Sequence, residues 1–162
     1  MKITFYKYHG AGNDFILIDD RLTNFSLSSK QIKKICDRNI GIGSDGLILL
    51  KDHKKYDFEM IYFNCDGKKS SMCGNGGRCI VHFAFFLKII KSSAFFLAAD
   101  GTHKARILND FKILLHMNDI DDIKNIQDYI YVNSGSPHHV IINPEIDIIN
   151  VKKIGSKIRY SK

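Results

Sequence analysis

A glycine-rich segment that opens directly into a long apolar run constrains the fold of this chain most. In a helix, the run Ile80–Ile90 would turn apolar side chains to nearly every side, interrupted only by His82 and Lys88. A helix that is apolar all round lies inside a fold, covered by sheet or by other helices. We therefore predict one buried central helix, which begins after the glycines and continues to about Lys91.

Short apolar segments on both sides of this helix predict strands. They are residues 2–8, 15–19, 47–50, 58–63, 94–99, 103–108, 111–117, 130–133 and 140–142. A further helix is expected from Ser28 or Ser29, either of which would cap it, to about Arg38. Strands before and after one central helix predict an α+β fold, with a mixed sheet that curls like a barrel around the helix. No closing helix or final strand is expected after residue 142, so the chain has the pattern of one cut short.

Charge and cysteine content exclude several classes of function. The net charge is +7, but the lysines occur as scattered pairs such as Lys33-Lys34 and Lys68-Lys69, which favours a solvated surface over a nucleic-acid face. No apolar run reaches the roughly 18 residues of a membrane span, and the N-terminus lacks a signal-peptide core. We therefore expect a cytoplasmic protein with no membrane or nucleic-acid partner, whose four cysteines are reduced.

The segment Met72–Arg78 (MCGNGGR) carries the strongest chemical signal. At the start of a helix, Cys73 would meet unpaired backbone N–H groups and the positive end of the helix dipole, which stabilise a thiolate. Gly74, Gly76 and Gly77 would let the backbone approach a bound ligand, and their free amides could hold a carboxylate. The alternative is a small buried residue in a glycine turn. We favour a reactive cysteine that acts as a general acid or base.

Two other motifs place an asparagine beside glycine turns just after a strand. Asn13 lies in HGAGNDF and Asn64 in FNCDG. An asparagine side chain offers two donors and an acceptor, which suits recognition of an amino-acid head group. Taken alone, each motif is more typical of a turn than of a ligand contact.

Taken together, these motifs resemble those of the diaminopimelate epimerase family. HGAGNDF, GIGSDGLILL, FNCDG, MCGNGGRC and GSPHH follow the family's order and spacing. Members of this family have two similar domains, each a β-rich shell around a central helix, with the active site in the cleft between them. They interconvert LL- and meso-diaminopimelate, a step toward lysine and peptidoglycan, without pyridoxal phosphate or another cofactor and without a metal.

The resemblance also implies roles for individual residues and a domain division. Cys73 would be one of two cysteines that face the substrate α-carbon from opposite sides. The residues expected to hold the substrate, diaminopimelate, are Asn13, Asn64, Gly74 and Asn75, and those expected to support the site are Ser136 and His138. Residues 1–133 would form the N-terminal domain, and residues 134–162 an incomplete start of the second.

The chain also departs from the family pattern. The partner cysteine with its own glycine-rich helix start is missing, as are the Glu-Arg pair and the later asparagine of the second domain. Gly46 stands where many members carry Gln, which would remove a polar contact, and Ser136 stands where many carry Asn. A half-length chain should expose an apolar surface, so we expect it to dimerise or aggregate.

Two other signals are set aside, and three functions stay open. Gly41–Gly46 fits a dinucleotide fingerprint formally, but it follows a helix and precedes a strand, the reverse of what that site needs. Cys73, Cys79 and His82 lack a second ligand pair for zinc.

Three hypotheses for the function stay open: a diaminopimelate epimerase, a related racemase of the same superfamily, and a non-catalytic half-domain. Asn75 favours the first, because proline racemases usually carry His at that position.

Overall fold

The computed structural model describes residues 3–22, 25–108 and 112–161, which form two compact units. The first unit contains the described residues up to 119 together with Ser134–Ser136. The second contains residues 120–133 and 137–161. Residues 2 and 111, each at one end of a predicted strand, lie outside the described residues. The division at residue 133, which concerns the family's two domains, stays a prediction.

The first unit is built on a mixed sheet of seven strands. These are β1 (Tyr6–Gly10), β2 (Asn13–Asp19), β3 (Gly46–Lys51), β4 (Glu59–Asn64), β5 (Ser93–Ala98), β6 (Gly101–Ile107) and β7 (Ile113–Leu115). Their order across the sheet follows their order in the chain. The β2–β3 and β4–β5 pairs are parallel and the others are antiparallel. Helices α1 (Ser29–Cys36) and α2 (Gly74–Phe86) provide the crossovers that the parallel pairs require.

The sheet curls around α2. This helix contacts both β1 and β7, the two ends of the strand order, as well as β2, β3, β4 and β6 between them. A flat sheet could not bring both end strands to one helix. The predicted α+β fold, with a curled mixed sheet around a buried central helix, is therefore confirmed.

The central helix ends earlier than the sequence indicates. It stops at Phe86 rather than near Lys91, and Lys88 adopts a positive φ of 60° that turns the chain away. Phe86 is 55% exposed, so the helix is not covered on every side. The apolar composition of the run after Phe86 hides this end, because hydrophobicity alone does not report a change in backbone direction.

Strands β2 and β3 are buried on both faces, which explains their continuous apolar sequences. Phe15 and Leu17 of β2 belong to the main core around α2, whereas Ile16 and Ile18 pack in a second cluster with Ile32 of α1. Alternate residues of a strand point to opposite faces, so one strand serves both cores. The sheet is thus fixed from two sides near the site described below.

Helix α1 begins where its capping signal predicts. The Gln31 N–H donates to the Ser28 hydroxyl at 3.4 Å, and the Ser28 N–H donates to Gln31 Oε1 at 2.9 Å. This reciprocal pair is a capping box. Of the two residues that the sequence offers as the cap, Ser28 is therefore the one used.

The second unit contains β8 (Ile123–Ile126), β9 (Tyr129–Asn133), β10 (Pro137–Val140), a 3₁₀ turn (Ile146–Ile148) and α3 (Val151–Arg159). The strands form an antiparallel sheet in the order β10-β9-β8. The expectation of no closing helix is wrong, because Asn150 caps α3 by accepting the Lys153 N–H at 3.0 Å. β8 is also additional, and the strand predicted at 140–142 is misplaced, because β10 begins at Pro137 and shares only Val140 with it. In the described part of the chain, no helix has the length and apolar character to cross a membrane.

Candidate active site

Strand ends and the start of α2 meet at one edge of the sheet in the first unit. Asn13, at the start of β2, pairs with Gly10 at the end of β1. Gly46, at the start of β3, pairs with Phe15 on one side and with Asn64, the last residue of β4, on the other. The register therefore places Asn13 and Asn64, two of the predicted substrate contacts, at the same edge.

The turn between β1 and β2 brings Asn13 toward α2. Ala11 and Gly12 both have positive φ values, 54° and 85°, as a tight hairpin turn requires. A Cβ atom on Gly10 would lie 3.1 Å from the backbone oxygen of Asn75, so a glycine lets the hairpin pack closely on the first turn of the helix.

Cys73 is the residue that caps the start of α2, as the sequence predicts for a reactive thiol. Its carbonyl oxygen accepts the Gly77 N–H at 2.7 Å, and within the described residues its side chain makes no capping hydrogen bond to the helix. Instead the Cys73 thiol donates to Asn13 Oδ1 at an Sγ–O distance of 3.7 Å. The N–H groups of the first turn point out of the helix start, beside a half-buried thiol.

The three glycines after Cys73 do not serve one purpose. A Cβ atom on Gly76 would lie 2.9 Å from Ile48 Cδ1, and one on Gly77 would lie 2.5 Å from Met72 Cε, so at both positions a neighbouring side chain would have to shift. A Cβ atom on Gly74 would come no closer than 3.7 Å to any described atom outside its own helix turn and chain neighbours. Packing therefore leaves space at Gly74, next to the thiol.

Charged residues hold the two amide side chains at this edge. Asn13 Nδ2 donates to Asp45 Oδ2 at 2.7 Å, and Asn75 Nδ2 donates to Asn13 Oδ1 at 3.3 Å. The Arg78 guanidinium donates to Asn75 Oδ1. The sequence does not single out Asp45 or Arg78. Arg78 lies one helical turn after Asn75, a spacing that could have revealed the pair.

The other cysteines lie in different environments. Burial raises the pKa of Cys79 to about 11, and burial also raises the pKa of Cys36. Cys65 is exposed on the turn after β4. Cys73 combines partial exposure with a position at a helix start. Among the described residues, no group of three or more His, Cys, Asp or Glu side chains is arranged to hold a metal ion.

Gly46 is explained by its neighbour Tyr62. A Cβ atom on Gly46 would lie 2.5 Å from the Tyr62 ring and 2.6 Å from the backbone oxygen of Phe63. Burial, and then the nearby Cys73, raise the pKa of Tyr62. Tyr62 thus fills the space where a longer side chain at position 46 would begin, a contact between two strands that no local sequence pattern indicates.

The two supporting residues fall in different units. Ser136 lies in the first unit, where its backbone carbonyl oxygen accepts the Ser134 N–H at 3.2 Å. A Cβ atom on the intervening Gly135 would lie 3.7 Å from Cβ of Met72, the residue before Cys73. His138 lies in β10 of the second unit. The roles of both residues, like those of the predicted substrate contacts, stay predictions.

Comparison with known proteins agrees with these features. The diaminopimelate epimerase family profile matches residues 5–120. The diaminopimelate epimerase of Flavobacterium psychrophilum is 49% identical over 96% of this chain, and that of Chlorobaculum tepidum is 39% identical over 94%. A phenazine biosynthesis protein of the PhzF family from Bacillus anthracis has a similar fold, with a TM-score of 0.60 at 14% identity over 87% of this chain and 56% of that one.

The alignments cover only part of each relative. This chain spans 61% of the Flavobacterium psychrophilum protein and 62% of the Chlorobaculum tepidum protein. The matched part nevertheless includes the strand edge, the hairpin and the helix start that form the candidate site. The chain therefore belongs to the diaminopimelate epimerase family.

Proposed function

We propose that this chain supplies one half of an active site that converts LL-diaminopimelate to meso-diaminopimelate without a cofactor. Cys73 acts as the acid or base on one face of the α-carbon. The observation that carries this proposal is its position, a half-buried thiol at the start of α2 next to the amides of Asn13 and Asn75.

The chemistry needs a stabilised carbanion as well as a base. When a thiolate removes the α-proton, the C–H bond breaks, an S–H bond forms, and the electron pair spreads into the substrate carboxylate. Fixed donors aimed at that carboxylate lower the barrier. The N–H groups of Gly74 and Asn75 at the helix start are such donors.

Inversion requires a second group on the opposite face. By resemblance to the family, that group is a cysteine of a second domain, consistent with relatives that are longer than this chain. Asn13, Asn64, Gly74 and Asn75 hold the substrate, while Ser136 and His138 support the site. The proposed setting is lysine and peptidoglycan synthesis in the cytoplasm, with a homodimer as the proposed assembly.

Solvent-deuterium incorporation at the α-carbon of LL-diaminopimelate tests the role of Cys73. A single base returns a solvent deuteron to the face from which it took the proton. We therefore expect this chain to catalyse exchange with retention of configuration, measured by mass spectrometry and chiral chromatography. Exchange should fall to background in Cys73→Ala.

Cys79→Ala is the matched control, because Cys79 lies on the same helix but is buried in the core. It should retain exchange if it folds. Equal exchange by the wild-type chain and Cys73→Ala would exclude Cys73 as the base. Absence of exchange in both would mean that this half-site has no activity alone, in favour of a non-catalytic half-domain.

A further inference from the structure

We propose that Asp45 is a positioning residue for Cys73: it turns the Asn13 amide so that the carbonyl oxygen, and not the NH₂ group, faces the thiol. This inference rests on the proposed acid–base role of Cys73. It assigns a role to a residue that is neither the reactive thiol nor a predicted substrate contact, and it specifies how the thiol is held.

Asn13 and Asp45 are in direct contact. Asn13 Nδ2 lies 2.7 Å from Asp45 Oδ2. An ionised carboxylate only accepts hydrogen bonds, so the amide nitrogen must be the atom that faces it. The opposite atom, Asn13 Oδ1, then points to Cys73 Sγ at 3.7 Å and can only accept from it.

Asn75 and Arg78 form the other end of the same hydrogen-bond network. Arg78 only donates hydrogen bonds, so the atom of Asn75 that faces it must be the oxygen. Asn75 therefore turns its NH₂ group to Asn13 Oδ1, at 3.3 Å. Asp45 and Arg78 select the same orientation of the two amides from opposite ends. Reversing both amides would oppose oxygen to carboxylate and NH₂ to guanidinium.

Asp45 itself is anchored by Arg38 and Asp14. Its Oδ1 accepts from Arg38 at 2.9 Å, and its Oδ2, which accepts from Asn13, also accepts the Asp14 N–H at 3.3 Å. Its backbone N–H donates to Asp14 Oδ1 at 3.2 Å and to the Asp14 carbonyl at 3.0 Å. A carboxylate fixed on both oxygens and through its backbone cannot follow a rotating amide, so the amide follows the carboxylate.

The consequence concerns the proton on Cys73. A carbonyl oxygen accepts the S–H proton and so favours a thiol ready to donate it. A reversed amide would present N–H groups, which favour the thiolate instead. Asp45, although it does not contact the sulfur, thus selects which form the neighbouring amide supports.

The test compares Asp45→Asn with Asp66→Asn by the rate of iodoacetamide alkylation of Cys73 across pH, followed by mass spectrometry of the Cys73 peptide. Both variants remove one negative charge, but Asp66 lies on the turn after Asn64 and its carboxylate accepts the Lys68 N–H at 2.9 Å instead of contacting the Asn13 amide. Cys79 and Tyr62, which interact electrostatically with Cys73, are unchanged in both.

Asp45→Asn should alkylate about 3- to 10-fold faster near neutral pH, because the Asn13 amide is released to turn its NH₂ group toward the thiolate. Asp66→Asn should change the rate less than about twofold. Equal acceleration in both variants would show an effect of charge alone, and no acceleration in Asp45→Asn would also overturn the proposal.

A second measurement uses the wild-type chain and so does not depend on a variant that folds. The side-chain NH₂ protons of Asn13, seen by NMR, should exchange with solvent more slowly than those of an exposed asparagine such as Asn39. Fast exchange at Asn13 would overturn the proposal. Neither readout uses substrate, so failure of α-proton exchange would count against the proposed function while leaving this inference standing.

Discussion

At the scale of single residues, Asp14 links three segments close to Cys73. Its carboxylate accepts from Arg38, which follows α1, at 2.7 Å and from Lys7 of β1 at 2.5 Å. The hydrogen bond from Arg38 is the largest of the causes that hold the pKa of Asp14 well below its ordinary value of 3.8. The ionised form therefore stabilises the fold that positions Asn13.

Asp14→Asn should reduce the pH dependence of stability in acid. A carboxyl group with a lowered pKa in the folded state stabilises the protein fully above its unfolded pKa, and this contribution is lost as pH falls through the folded pKa. Below about pH 4 the wild-type urea midpoint should therefore drop more steeply than that of Asp14→Asn. The exposed Asp119→Asn is the control and should retain the wild-type slope, whereas parallel curves for all three would refute the assignment.

Some site residues can be predicted from the sequence and others cannot, for a physical reason. Cys73 is marked by its own neighbours, since glycines and an apolar run predict a helix start. Asp45 is not marked by its neighbours in the sequence, because its contact with Asn13 joins residues 32 positions apart. That contact exists only after β2 and β3 pair in register, and the same holds for Tyr62 against Gly46 across β3 and β4.

At the scale of elements, the β5–β6 hairpin holds the segment Ser134–Ser136. His103 is buried, with Nε2 2.9 Å from Asp100 Oδ1 and Nδ1 3.1 Å from the His116 carbonyl. A Cβ atom on Gly135 would lie 2.3 Å from Asp100 Oδ2. The buried His103 fixes the Asp100 carboxylate, and the segment fits against it only with glycine.

Gly135→Ala should therefore destabilise the fold by about 1 to 3 kcal/mol, because φ is +92° and the added methyl group meets Asp100. Gly155→Ala is the matched control: it lies in α3 with no described atom near the new methyl group, and should stabilise by up to about 1 kcal/mol. Thermal unfolding measures both. If Asp100 is the cause, Asp100→Ala should lower the cost of Gly135→Ala, and an undiminished cost would contradict this explanation.

The sequence predicts the bounds of helices and strands well where capping residues and apolar spacing agree, and poorly where they indicate different bounds. Ser28 and the apolar spacing after it locate α1 closely. The end of α2 was missed because apolar residues continue beyond the backbone turn at Lys88. In α3, Val151, Ile154 and Ile158 have helical spacing and Asn150 is a good cap, but many lysines and a glycine concealed the pattern.

At the scale of the whole molecule, the two units differ in how they bury apolar surface. All residues of the two core clusters belong to the first unit. No described residue of the second unit is buried. A depression in the second unit is lined largely by apolar side chains, which include Ile141, Ile146, Val151, Ile154 and Ile158. Exposed apolar surface of this kind favours association.

We expect the chain to self-associate in a concentration-dependent way that Ile154→Lys weakens by about tenfold or more, since a buried isoleucine contributes about 1.5 to 3 kcal/mol. Ile40→Lys is the control: Ile40 is exposed on the first unit, 70% against 44% for Ile154, and its replacement should leave association unchanged. Sedimentation velocity gives both constants. A wild-type chain that stays monomeric at high concentration would refute the expectation.

The strand order of the seven-stranded sheet has a consequence for synthesis on the ribosome. Each strand from β2 to β7 pairs with the strand that precedes it in the chain, so no later strand has to insert between two strands that are already paired. Contacts between near neighbours in sequence close quickly and with little loss of entropy. The sheet can therefore grow in the direction of translation, strand by strand, and α2 emerges after β4 and before β5, in time for the remaining strands to wrap around it.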